Sequence, residues 1–218
     1  MTDSAFPTHI ATSSSGDTAD AWLHPCGSPW QSEAPECVHD NPWFAADVYA
    51  GVAPTGAEAT YYALRYKNAA TGVIPLHEDG TITLVGQWRF PFGTYSWELP
   101  EGGAPLPEPA IDGARRELRE EAGLSAARLD LILTLQLSNA SSDETAYIYL
   151  ATGLGAAEVE RDPTEALSLA RVPFRRALHA AVEGRVKDSL TVAGLLRLYH
   201  MAAEGELEAD LAHLLLGR

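Results

Sequence analysis

The sequence predicts an α/β chain, and three observations point to it. Strand-like apolar runs stand at 46–49, 61–66, 72–76, 81–85, 127–137 and 147–151. One carboxylate-rich helix falls between them, at 111–122. Helical runs at 174–182, 190–203 and 207–216 close the chain.

Residues 1–40 are rich in Ser, Thr, Asp, Pro and Gly, the composition of a loosely held tail. His24-Pro25-Cys26 and Cys37-Val38-His39 mirror each other and offer zinc-ligand types. Their spacing matches no zinc module, so incidental tail residues are the favoured reading. Trp22 and Trp30 suggest that part of this stretch packs on something, a partner subunit being one candidate. The runs at 46–49 and 61–66 flank the turn Pro54-Thr55-Gly56. Tyr49, Tyr62 and Tyr66 lie in this region, and strand aromatics are core more often than stacking platforms. The runs at 72–76 and 81–85 should pair as a hairpin across Glu78-Asp79-Gly80.

The central helix reads Arg116-Glu117-Leu118-Arg119-Glu120-Glu121 at its core. At about 100° per residue, Glu117, Glu120 and Glu121 share one narrow arc. Ile111, Ala114, Leu118 and Ala122 form an adjacent apolar stripe, and Gly123 stands where a helix stops in the left-handed region. Three carboxylates on one face repel by roughly 0.2–0.5 kcal/mol per neighbouring pair. A hard divalent cation, Mg²⁺ or Mn²⁺, relieves this, because it takes oxygen ligands. A solvated helix laced with Arg–Glu pairs carries the same string. The residues around the string separate the two readings.

From Gly102 the pattern runs five residues to Glu108, seven more to Arg116-Glu117, then Leu118, Glu120-Glu121, Gly123 and Leu124. That is nine fixed positions in twenty-three, and it resembles the Nudix box at every one. The resemblance implies an α/β/α sandwich around a mixed sheet, covering about residues 41–200, with an N-terminal antiparallel strand pair and C-terminal helices. It implies hydrolysis of a nucleoside diphosphate linked to another moiety, with Mg²⁺ or Mn²⁺ held by Glu117, Glu120 and Glu121. Glu120 and Glu121 would also be catalytic. Arg116 would pair with a box glutamate, with Glu108 as structural support.

The flanking residues resemble the nucleoside-diphosphate-sugar, ADP-ribose pyrophosphatase-like branch. Glu98-Leu99-Pro100-Glu101-Gly102 is similar to its lead-in, where the carbonyl before the glycine ligates metal; here that is Glu101, with Glu98 near the metal and the substrate. Gln87-Trp88-Arg89 resembles a segment whose arginine faces substrate phosphate, a role for Arg89 that suits a guanidinium. The polar loop 139–144 is placed to carry a general base, and by resemblance that is Glu144, with Asp143 second. One departure concerns the substrate. The branch usually carries a proline about sixteen residues past the box, and Ser138-Asn139-Ala140 stand there instead.

Beyond the loop, the stretch from Glu165 toward Val172 reads as a last strand, Pro173 as a helix opener and Asp188 or Ser189 as an N-cap. His179, His200 and His213 fall one per helix, at core edge or surface.

The 218 residues are 46% hydrophobic, enough for a sizeable core, with net charge -15. Such a surface repels nucleic acid. An acidic protein acting on phosphates needs local positive charge, which a metal supplies. No apolar run reaches a membrane span, the N-terminus lacks a secretory pattern, and two cysteines form no disulfide framework. The expectation is a cytoplasmic homodimer acting on a small nucleoside diphosphate derivative. It divides as a tail over 1–40, a dimerising strand pair over 41–70 and a hydrolase domain over 71–218. The alternatives are a nucleoside triphosphate or dinucleoside polyphosphate hydrolase, and a nucleotide-sugar sensor without catalysis. A basic approach surface for RNA is missing at this charge, and a sensor usually loses box glutamates, whereas all three are present.

Overall fold

The computed structural model describes Leu23 and residues 27–158 and 166–217. Its first strands are β1 (Gln31–Ser32), β2 (Glu36–Asp40), β3 (Phe44–Val52), β4 (Glu58–Tyr66), β5 (Asn68–Pro75), β6 (Thr81–Arg89), β7 (Thr94–Glu98) and β8 (Glu101–Pro105). Helix α1 (Ala110–Ala122) follows, then β9 (Leu124–Gln136), β10 (Thr145–Ala156) and β11 (Ser168–Pro173). Helices α2 (Phe174–Val182), α3 (Ser189–Ala203) and α4 (Ala209–Leu216) end it. The chain divides into two units, one of residues up to Pro35 with Tyr49–Tyr61, the other of Glu36–Val48 with Tyr62–Arg218.

In the smaller unit β1 pairs antiparallel with β3, Gln31 opposite Val52. The turn at Gly56 forms as expected, with φ 84° and its N–H on the Ala53 carbonyl at 2.9 Å. Trp30 packs edge-on against Tyr61, ring centroids 5.6 Å apart. Strands β1 and β2 thus lie within the stretch whose composition suggested a loose tail, because β3 offers backbone partners to both. Trp22, His24, Cys26 and residues 159–165 lie outside the described residues.

The larger unit holds a mixed sheet in the order β8-β5-β10-β9 and an antiparallel sheet in the order β11-β6-β7. Only the β5–β10 pair of the mixed sheet is parallel. Side chains alternate across a strand, and β5 and β10 use both faces. Val73, Tyr149 and Ala151 pack with Ala114, Leu118 and Ala122 of α1. Ile74, Ile148 and Leu150 pack on the opposite side with Leu195, Leu198 and Leu215 of the C-terminal helices. This is the α/β/α sandwich.

The hairpin expected between 72–76 and 81–85 does not form. β5 spends its two edges on β8 and β10, and β6 spends its own on β7 and β11. A single bridge, Leu76–Ile82, joins them, although the turn is made with Gly80 at φ 74°. An Asp-Gly turn sets a reversal of the chain, and competing edges decide whether the strands stay together.

Helix α1 shows why the acidic face is tolerated. Leu118 and Ala114 are fully buried. Burying one leucine stabilises by about 1.5–3 kcal/mol, more than each like-charge pair costs. Gly123 ends the helix at φ 66°, its N–H on the Leu118 and Arg119 carbonyls. Among the described residues no helix is long and apolar enough to cross a membrane.

Candidate active site

The site is built around a corner. Strand β7 of one sheet ends at Glu98, and β8 of the other begins at Glu101. Two anchors hold the turn between them. The Leu99 N–H donates to Thr191 Oγ1 at 2.9 Å, and Thr191 is fully buried on α3. The Glu101 N–H donates to Glu121 Oε2 at 2.7 Å, which ties the lead-in to the box helix. Glu121 is itself buried.

Glu98 is 2% exposed, so its charge needs a partner. Arg89 supplies it from β6. Its Nε donates to the two Glu98 oxygens at 3.1 and 2.9 Å, and its Nη2 reaches both Glu98 and Glu101 Oε1, the latter at 2.8 Å. Arg89 therefore bridges two glutamates. Glu101 Oε2 is buried and has no hydrogen-bond partner. Burial pushes the Glu101 carboxyl well above the ordinary range; Asp188 and Glu98 add to this and Arg89 opposes it.

Within the box, Gly102 is glycine for a steric reason. A Cβ there would lie 2.3 Å from the Glu117 carboxylate carbon. Glu117 thus lies directly over the β8 backbone. Arg116 donates to both Glu108 oxygens at 2.7 and 3.0 Å and to the Gly103 carbonyl at 2.6 Å. Glu117 and Glu120 stand 3.5 and 3.9 Å from the same guanidinium. Arg116 is held mainly by Glu108 and the loop, with the box glutamates beside it. Glu120 is more open and takes a 3.1 Å bond from Arg119.

A cavity of about 250 Å³ opens beside the corner, lined by Trp43, Tyr66, Thr71, Arg89, Glu101 and Glu144 among others. It brings together Arg89, Glu101 and Glu144 from three separated segments. The loop carrying Glu144 is pinned by main-chain bonds. Leu137 N–H donates to the Glu144 carbonyl at 2.8 Å, Leu64 N–H to the Ser141 carbonyl at 2.8 Å, and Tyr66 N–H to Asp143 Oδ1 at 2.8 Å. The last bond occupies Asp143, while Glu144 lines the cavity. Burial, then the Asp143 charge, pushes the Glu144 carboxyl up.

Two residues were not read from the sequence as part of a site. Trp43 precedes β3 and lines the cavity with Tyr66, whereas Tyr62 is largely exposed and Tyr49 belongs to the other unit. Of the two expected N-cap candidates, Asp188 and Ser189, it is Asp188 that caps the helix, accepting the Thr191 N–H at 2.7 Å. It also joins Glu98 and Glu101 in a group whose ligand oxygens all lie within 4.8 Å of one another. An N-cap aspartate carries no mark in the sequence of what its other oxygen faces.

The NUDIX domain family matches residues 66–190. The ADP-ribose pyrophosphatase of Mycobacterium tuberculosis is 32% identical over 134 residues, covering 60% of this chain and 64% of that protein. The chain thus spans a little under two thirds of that relative's length. The ADP-ribose pyrophosphatase of Bacillus subtilis is 31% identical over 124 residues, 56% of this chain and 67% of that one. The GDP-mannose pyrophosphatase of Yersinia pestis is 29% identical over 142 residues, 57% of this chain and 67% of that one. The crystal structure of an ADP compounds hydrolase superposes with a TM-score of 0.73 at 19% identity, covering 84% of this chain and all of that one, which shows the shared fold. With its box intact and more than half its length matched, the chain belongs to the Nudix family, in the ADP-ribose pyrophosphatase-like branch.

Proposed function

We propose that this protein hydrolyses the diphosphate bond of nucleoside diphosphate sugars such as ADP-ribose, giving a nucleoside monophosphate and a sugar phosphate. The observation that carries the reading is the convergence of Arg89, Glu101 and Glu144 on one cavity that Gly102 and Gly103 at the start of the box also line. Relatives named for ADP-ribose and GDP-mannose support a nucleotide sugar as the substrate class.

The donor set fits a hard divalent cation. The box glutamates supply carboxylate oxygens, and Glu101, whose N–H donates to Glu121, keeps one buried oxygen without a partner. Glu117, Glu120 and Glu121, with the main-chain carbonyl of Glu101, would hold Mg²⁺ or Mn²⁺. When bound, the metal neutralises diphosphate oxygens and polarises the attacked phosphorus. The chain's own residues do the rest. Arg89, already at the cavity wall, grips a phosphate with its planar fork once substrate competes with Glu98 and Glu101 for it. Glu144 takes the proton from the attacking water, a role favoured by a carboxyl that burial and then the Asp143 charge push up. Glu121 keeps the lead-in fixed through the Glu101 N–H. Trp43 and Tyr66 wall the cavity. The strand pair within 41–70 joins two copies into a homodimer in this reading.

The test is a panel of ADP-ribose, GDP-mannose, UDP-glucose, diadenosine polyphosphates and 8-oxo-dGTP with Mg²⁺ or Mn²⁺, run on wild type and Glu144→Gln. The expected result is hydrolysis of a nucleotide sugar that drops by about 10²–10⁴ in the variant. Preference for a triphosphate or polyphosphate, or no turnover at all, refutes the reading.

A further inference from the structure

We propose that Asp188, Glu98 and Glu101 form a divalent-cation site of their own, with ligands distinct from the three box glutamates. Two independent observations point to it. The ligand oxygens of the three residues lie within 4.8 Å of one another. Two oxygens on opposite sides of one Mg²⁺ stand about 4 Å apart, so the three lie close to the spacing that one ion requires. Separately, Glu101 Oε2 is buried and has no hydrogen-bond partner.

The charge balance agrees. Arg89 is the cation in contact with the group, bridging Glu98 and Glu101. One guanidinium against three carboxylates leaves two negative charges, the amount one Mg²⁺ or Mn²⁺ neutralises. Buried like charges of this kind need either a cation or a proton.

The fold delivers Asp188 to this position through Thr191. That buried residue donates its N–H to Asp188 and accepts the Leu99 N–H on its hydroxyl. One threonine thus sets the start of α3 against the turn between Glu98 and Glu101. Thr191 is a positioning residue, and Asp188 the ligand it places.

This inference takes the metal dependence of the proposed reaction as its setting, but its test contains no substrate. Mn²⁺ alone is titrated into the full chain and read by electron paramagnetic resonance for equivalents and affinity. Wild type is compared with Asp188→Asn, Glu101→Gln, Thr191→Val and Glu121→Gln. Asparagine still caps a helix, so Asp188→Asn keeps the fold while removing the charge; its melting curve checks this. Loss of one Mn²⁺ equivalent, or at least tenfold weaker binding at it, is expected in Asp188→Asn and Glu101→Gln. Thr191→Val should give a partial loss, and Glu121→Gln should retain that equivalent. Wild-type binding in Asp188→Asn and Glu101→Gln, or no Mn²⁺ bound by wild type, overturns the site and leaves Arg89 and a proton as the group's counter-charge. An enzyme active on the panel can fail this titration, and a protein inactive on it can pass, so the two readings fall separately.

Discussion

Two acidic groups stand side by side in this molecule and are built in opposite ways. Glu117, Glu120 and Glu121 come from two turns of one helix. Each has a local constraint: Glu121 takes the Glu101 N–H, Glu117 lies over Gly102, and Glu120 is paired with Arg119. Glu98, Glu101 and Asp188 come from a strand end, a strand start and a helix cap. They meet closely, with a single guanidinium between two of them and one buried oxygen left over. Dense negative charge in a sequence therefore does not mark where buried negative charge is least compensated. Carboxylates within one helix can each find a separate neighbour, as Glu120 does at the surface and Glu121 in the interior. Carboxylates assembled across a corner are desolvated together, and the fold must supply their counter-charge.

The largest expected effect separates the groups by chemistry. Glu121→Gln keeps an oxygen for the Glu101 N–H, so the corner stays in place while the charge goes. Turnover under saturating Mg²⁺ should fall by roughly 10³-fold or more, several kcal/mol of transition-state stabilisation, with an unchanged circular-dichroism spectrum. Near-normal rates would mean that the box helix is not where the cation acts.

An intermediate effect isolates geometry from charge. Gly102→Ala drives a methyl into the Glu117 carboxylate, the free end of a flexible side chain. The side chain can swing aside, so the melting temperature should move by only about 4 °C, near 1 kcal/mol. The displaced carboxylate should cost roughly 10²-fold in kcat. Equal losses in stability and rate would show that the glycine serves packing and not the site.

The smallest effect concerns the loop. Asp143 holds Glu144's carboxyl up, second to burial. The base must be ionised to accept a proton, so activity falls as pH drops through its raised pKa, above the ordinary glutamate range. Asp143→Asn can still accept the Tyr66 N–H but removes the charge. The acid limb of kcat/KM should shift slightly to lower pH. A shift upward, or none, assigns that limb to another group.

Much of this was legible before any coordinates. The helix over 111–122, its stop at Gly123 and the helices at the C-terminus follow from periodicity and caps, which are local. The glycine at 102 was legible as an element of spacing, though not its reason, the carboxylate of Glu117 above it. The base we propose for the loop was legible as a choice between Asp143 and Glu144. Only the bond from Tyr66 occupies one and leaves the other at the cavity. The hairpin across Gly80 was misjudged because strand edges are contested by partners distant in the chain.

What the sequence by itself determined is the box: nine residue types at set intervals, an amphipathic helix and an overall negative charge. These are properties of neighbours along the chain, set by backbone geometry and side-chain chemistry. What only the tertiary structure decided is which distant residues face one another. Arg89 bridges Glu98 and Glu101, and Asp188 completes their group, because a buried threonine accepts the Leu99 N–H and donates its own N–H to Asp188, the cap of α3. No local preference encodes that meeting; it follows from how two sheets and a helix pack, and desolvation then gives the three carboxylates their character.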